Sequence, residues 1–413
     1  MSARTHGVVG IGLLVGVAGA SCIVSAVDVI DRPTPGAGGG GGSDGSGGAA
    51  GKGGDGGGAE CVSARWPDPP AADDPSMAPS QDLVFAIRAI DIGESQADLT
   101  AVGPKKGYDL DGVCTGLGGP SSCIVPSGAD PSEYKDGPGG IDNRTAKLFA
   151  SAKAFNSAIS SSNYSMGAND GSWSLLVRIR DYNGTKNDSK VTVALYPSPG
   201  YAVEKCALMD AKPQWTGSDA WPVDANALGK ATSGPGSDGG DGICGEKGKP
   251  GYSYDAPKFV DTNAYVADGT FVANLPEAAL TVSNFKAGTL VKLTAGFITG
   301  KLEATQGGAF KVTNGIFTGR WKATDMFLAF STGLSEGQAL CTTNPVYQLI
   351  RSAICSAREI AGSLGGPTTP CDAVSFALAY EAEPAKLGAV IEVPMPVSMC
   401  TSETNPEFDS CPN

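Results

Sequence analysis

The stretch "GYDLDGVCTGLGGPSSCIVPSGADPSEYKDGPGGIDN" sets Asp109, Asp111, Asp136, Asp142 and Asn143 in a backbone rich in Gly and Pro. Hard oxygen donors on a pliable loop suit calcium, which takes roughly six to eight oxygens at irregular angles. The D-x-D-G piece from Asp109 to Gly112 resembles the opening of a calcium loop. The further spaced Asp and terminal Glu of an EF-hand do not follow it. One reading is a structural calcium ion held by these five residues. The competing reading is a solvated loop in which Asp142 only caps the helix that follows.

Trp215 and Trp221 lie in "QWTGSDAWPVD", an aromatic pair in a polar loop. Such rings can stack on sugars, which makes an extracellular glycan an expected partner. They can equally pack beneath the loop. Two carboxylates about 5 to 10 Å apart could cleave a glycosidic bond. With 43 Asp and Glu and no motif to select a pair, no catalytic residue is assigned.

Several chemistries are excluded. His6, close to the N-terminus, is the only histidine, so Ser-His-Asp catalysis, a histidine base and histidine-ligated zinc are out of reach. The net charge is -13, or -14 once Arg4 is removed with residues 1–21, and no basic cluster carries interleaved aromatics. Nucleic acid is therefore not an expected partner.

Residues 1–21 carry Arg4 as their only charge, then an apolar run from Val8 to Val17 and small residues up to Ser21, which reads as an export signal. Ala20-Ser21-Cys22 matches the site at which bacterial lipoproteins are cut and lipidated, with Gly19 where a leucine is usual. Cleavage after Ala26, at Val24-Ser25-Ala26, is the alternative. Lipidation at Cys22 is the reading carried forward, with a membrane as partner through that anchor. Residues 22–80 follow as a tether, because Gly36 to Gly58 holds fifteen glycines in twenty-three residues. Such a coil spans roughly 25 Å.

Residues 81–413 are read as one folded domain with loop insertions. The ten cysteines from Cys61 to Cys411 contain no C-x-x-C pair and read as disulfides of an oxidising compartment. Local closures are expected for Cys114 with Cys123, Cys206 with Cys244, and Cys400 with Cys411. A short apolar strand is expected over Asp82–Gly93, and a helix from Asn143 through Leu148, Ala152, Phe155 and Ile159, capped by Asp142. Leu175, Val177 and Ile179 alternate with Leu176, Arg178 and Arg180, and Val191, Val193 and Leu195 continue the pattern after a polar turn, which reads as a hairpin. Ala202 to Tyr254 reads as a Gly-rich, disulfide-closed loop.

A meander is expected from Ala264 to Phe330. Within it "KLTAGFITGKL" and "KVTNGIFTGRW" echo one another nineteen residues apart, each read as strand, tight turn and strand. A second helix follows over "NPVYQLIRSAICSAREIAGSLGG", then strands through Phe376, Leu378 and Tyr380. The sum is a mainly β fold, a two-sheet antiparallel, jelly-roll-like sandwich with about two helices and long disulfide-closed loops.

The signal, the Gly-rich tether, the "YDLDGVCT" and "DGPGGIDN" loop and the "YNG" hairpin together resemble a myxobacterial-type family of secreted lipoproteins. The resemblance implies a place at the outer membrane or cell surface of a Gram-negative bacterium, or secretion, and brings no activity with it. The expected role is binding or structural, an enzyme being the less favoured reading. The alternative is a carboxylate-based glycan hydrolase on a β-sandwich.

Overall fold

The structure, a computed structural model, describes residues 61–412 apart from 77–78, 97–98, 100–101, 117–118, 128, 131–133, 156–158, 202–211, 231–250, 283–288, 332–333, 336–337, 364–365 and 394–396. The signal, Cys22, most of the tether, Cys206 and Cys244 lie outside the described residues.

The elements in chain order are β1 (Gln81–Asp91), α1 (Arg144–Phe155), α2 (Ser161–Asn169), β2 (Ser174–Tyr182), β3 (Asp188–Ser198), β4 (Ala220–Asp224), β5 (Leu228–Lys230) and β6 (Tyr252–Pro257). There follow β7 (Phe259–Ala267), β8 (Thr270–Val282), β9 (Thr289–Ala304), β10 (Phe310–Lys322) and α3 (Ala323–Phe330). The chain ends with β11 (Leu334–Ser335), β12 (Gln338–Ala339), α4 (Pro345–Ser356), β13 (Ala373–Pro384) and β14 (Lys386–Ile391).

The fold is mainly β, but it is not a sandwich. Eight strands close into one antiparallel barrel in the order β1-β13-β10-β9-β8-β7-β3-β2, with β1 pairing β2 on one side and β13 on the other. Alternation along a strand is the same in a barrel wall as in a sandwich, so the inward and outward residues read identically from either. The inward set forms one apolar cluster that takes Phe85, Val177, Val193, Val266, Phe271, Ile298, Phe317 and Phe376, one from each strand. Eight strands enclose a lumen just wide enough for side chains to fill, and here they fill it. No helix among the described residues is long and apolar enough to cross a membrane.

Closure is helped by the sequence echo, which is a pair of bulges and not a pair of turns. Ala295 (φ 52°) and Asn314 (φ 49°) sit in the left-handed region inside β9 and β10, each followed by a glycine, and the register slips at Thr313/Ile316 and Thr318/Arg320. A bulge adds twist and bend where a barrel must curl. At Gly315 the ring of Tyr380 lies over the backbone, so close that an added Cβ would stand 2.5 Å from it. The reversal between the two strands comes at 305–309, after the first copy of the echo is complete.

Two layers cover the outside of the barrel. Over β1, β2 and β3, the parallel pair β4–β14 buries Trp221, Val223 and Val390 against Ala86, Leu176 and Tyr196. These strands arise partly inside the segment expected to be a loop. Over β9, β10 and β13 lies the Asp-rich loop. The strap at its edge is tied down too, although the sequence places it in the tether. Trp66 stacks on Phe297 with ring centroids 3.8 Å apart, and the backbone N–H groups of Asn187 and Ser189 donate to Asp74 and Asp73.

Among the described residues four disulfides join Cys61–Cys114, Cys123–Cys371, Cys341–Cys400 and Cys355–Cys411. The expected pairs Cys114–Cys123 and Cys400–Cys411 are not formed. Pairing follows which elements pack together, and loop-closure entropy grows too slowly with length to favour the nearest cysteine. Such a set of bridges marks an oxidising, extracytoplasmic compartment. The expected Cys206–Cys244 pair lies outside the described residues.

Candidate functional site

The Asp-rich loop is fastened to the barrel wall at several points. Cys61–Cys114 binds it to the N-terminal strap, and Cys123–Cys371 binds it to the segment leading into β13. Tyr108 shares a 2.9 Å hydrogen bond between its hydroxyl and that of Thr299 on β9. Asn143 closes the loop against β13, donating to the Ala377 carbonyl and accepting from the Ala377 N–H.

These bonds revise the expected ligand set. Asn143 Oδ1 also accepts from the Ala146 N–H and the Thr145 hydroxyl, so Asn143 caps α1. Both ends of its amide are occupied by structure, which leaves it no role as a cation ligand. Asp142, expected as the cap, instead accepts the Leu110 N–H at 2.7 Å and turns toward the other carboxylates. The helix also ends earlier than the spacing suggests, with Ile159 lying between α1 and α2.

Asp109, Asp111 and Asp142 converge, with one carboxylate oxygen from each lying within 4.8 Å of the others. Asp109 and Asp142 are buried, at 3% exposure each. The loop backbone orients them: the Gly112 N–H donates to Asp109 at 2.6 Å and the Val113 N–H to Asp111 at 2.8 Å. Ser63 of the strap donates to the second oxygen of Asp109. Asp136, a step away, accepts the Thr115 N–H at 2.5 Å.

Beside this group a cavity is lined by Asp136, Asp142, Arg144, Lys147, Ser375 and Glu359. Sequence reasoning missed Glu359. It follows α4, far along the chain, and its one usable signal was a lone Arg-Glu pair inside an apolar, small-residue run. Its Oε1 accepts the Ser375 N–H at 2.8 Å, while Oε2 is buried without a hydrogen-bond partner.

Burial dominates the electrostatics. It raises the carboxyls of Asp111 and Asp142, the latter well above the usual range with the charges of Asp111 and Asp136 adding to the effect. It pushes Asp136 up to about 8 and Glu359 up to about 7, the latter despite partial compensation from hydrogen bonding to Ser375 and from the charge of Arg144. Arg320, buried beneath them on β10, is lowered by the same desolvation. Its terminal nitrogens are spent on the carbonyls of Leu110, Ala361 and Ser363, so it lends the carboxylates charge without direct hydrogen bonds.

The tryptophan pair lies elsewhere, in the apolar layer over β1–β3. Trp221 is fully buried there, and Trp215 packs against it at 5.4 Å between centroids, with the Arg88 guanidinium 5.3 Å over the Trp215 ring. Trp221 therefore offers no face to a sugar, and Trp215 only part of one. The carboxylate cavity has no tryptophan in its lining. The geometry thus offers a cluster of hard oxygen donors with no aromatic platform beside it. Comparison with protein-family models, with curated proteins and with solved structures found no match, so the site rests on its own geometry.

Proposed function

We propose that the chain is a membrane-tethered protein of the cell surface, displayed outside the cytoplasm by its Gly-rich segment and serving a binding or structural role. The observation that carries this reading is the set of four disulfides among the described residues, one of which spans 248 residues, around an apolar barrel core. A domain so fastened suits an oxidising and unprotected setting. The small residues before Cys22 supply the anchor, and the resemblance of signal, tether and loops supplies the outer membrane of a Gram-negative bacterium as the place.

A glycan hydrolase is the weaker reading. It calls for carboxylates facing each other across a cleft with an aromatic platform at hand, and here the two features occupy different sectors of the wall. Mass spectrometry of the mature N-terminus, with fractionation of native cells, tests the proposal. A diacylglyceryl mass on Cys22 in the membrane fraction is the expected result. A mature chain starting at Val27 and free in the medium would replace the anchor with secretion, and an unprocessed chain with free thiols would sink the proposal.

A further inference from the structure

The convergence of Asp109, Asp111 and Asp142 on the outer wall has the chemistry of a cation site, and by itself it is only a cluster of acids. A second, independent observation points the same way. Glu359 arrives from another part of the chain, is 7% exposed, has an Oε2 without a hydrogen-bond partner, and lines the same cavity as Asp136 and Asp142. A buried carboxylate oxygen without a donor is costly to leave so.

We propose that Asp109, Asp111 and Asp142 hold a hard divalent cation of the calcium class, with Asp136 and Glu359 adding negative charge from the cavity side. Each carboxylate keeps lone pairs beyond those used by the loop N–H groups, because two oxygens offer roughly four acceptor sites. The donors on offer are oxygens, and the nearby Cys114 is in a disulfide, which suits calcium and not zinc. Arg320 does not stand in for the ion, since its terminal hydrogen bonds go to backbone carbonyls.

The ion would also fasten the strap. Ser63 donates to Asp109, the Ala64 N–H donates to the Gly139 carbonyl at 2.7 Å, and the Asp109 N–H donates to the Ala64 carbonyl at 2.8 Å. The point at which the tether leaves the barrel is therefore bonded to the proposed ligand loop. This inference goes beyond the surface role proposed above and is tested on purified protein, independently of where the protein resides.

The test is calorimetry with calcium and terbium luminescence on the mature protein after treatment with chelator, with circular dichroism to verify the fold. One calcium per chain, displacing terbium, is expected. Asp142→Asn and Glu359→Gln should each weaken binding, by about 10- to 100-fold on the scale of ligand and supporting-residue losses. Asp268→Asn, at an exposed turn, should leave it unchanged. Should Asp142→Asn fail to fold, Glu359→Gln carries the test, because its amide keeps the side-chain shape. Absence of heat and of terbium emission in folded wild-type protein would overturn the proposal, as would unchanged affinity in folded Glu359→Gln.

Discussion

Glu94 and Glu359 are buried to nearly the same degree, at 6% and 7% exposure, yet their carboxyls shift in opposite directions. At the end of β1, burial pushes Glu94 up, but hydrogen bonds outweigh it: the Ser161 N–H and hydroxyl donate at 3.0 and 2.5 Å, Lys153 at 3.1 Å and Ser95 at 3.0 Å. On the wall over β10 and β13, Glu359 receives a donor on one oxygen only, and burial prevails. Low surface exposure is common to both sites; what separates them is that Glu359 lies deeper in the wall and that the fold supplies it fewer donors. The Glu94 site is complete as it stands, and the Glu359 site is built around charge that the protein itself does not fully match.

The largest expected effect bears on what holds the second region in place. Replacing Cys123 and Cys371 together by Ala opens a 248-residue closure. On the chain-entropy account this costs about 5 kcal/mol. Chemical denaturation should show a large fall in the midpoint, together with faster proteolysis of the Asp-rich loop. A fall no larger than that of a surface substitution would mean that the loop is held by its hydrogen bonds alone.

The next effect sharpens the contrast directly. Glu94→Gln removes a charge that is well matched and should cost about 2 kcal/mol. Glu359→Gln in chelator removes one that is not, and should leave stability unchanged or raise it. Equal losses in the two variants would erase the distinction.

The pH dependence follows with opposite signs. Glu94 is lowered in the folded state, so its contribution is present above the ordinary glutamate range and is lost as pH falls through its folded value. Asp136 and Glu359 are raised, so in the absence of a cation their contribution is greatest at acidic pH and is lost as pH rises toward about 7 to 8. Melting curves of both Gln variants across this range check the assignment. Glu94→Gln should flatten the acid limb, and Glu359→Gln the neutral one.

A smaller effect concerns barrel closure. Gly315→Ala puts a methyl group into the ring of Tyr380 and should cost about 1 to 3 kcal/mol, whereas Gly307→Ala in the open 305–309 turn should be close to neutral. Equal values would show that the bulge in β10 tolerates a side chain and does not depend on the ring over it.

Strands were legible in the sequence because alternation is local: the β2–β3 hairpin lies where the pattern puts it, and the expected meander does so in part, since each echo copy is one bulged strand and the stretch ends in α3. Closure was not, because the alternation is silent on whether β1 ends at an edge or pairs again with β13. The Ala-Gly and Asn-Gly dipeptides announced left-handed backbone correctly, but a bulge and a hairpin turn need the same residue types there. The acidic loop was legible from composition, and three of its four aspartates do converge. Asn143 was misread because Asp and Asn cap helices equally well. Glu359 was out of reach because it joins the group through tertiary packing alone.

The central claim is that the wall over β10 and β13 holds carboxylate charge which a cation completes. Its most direct test is the melting temperature of the mature protein at about pH 8, taken once in chelator and once in excess calcium. A clear rise with calcium is expected, on the order of 2.7 kcal/mol of stabilisation at a hundredfold excess over the dissociation constant. Superimposable curves would contradict it.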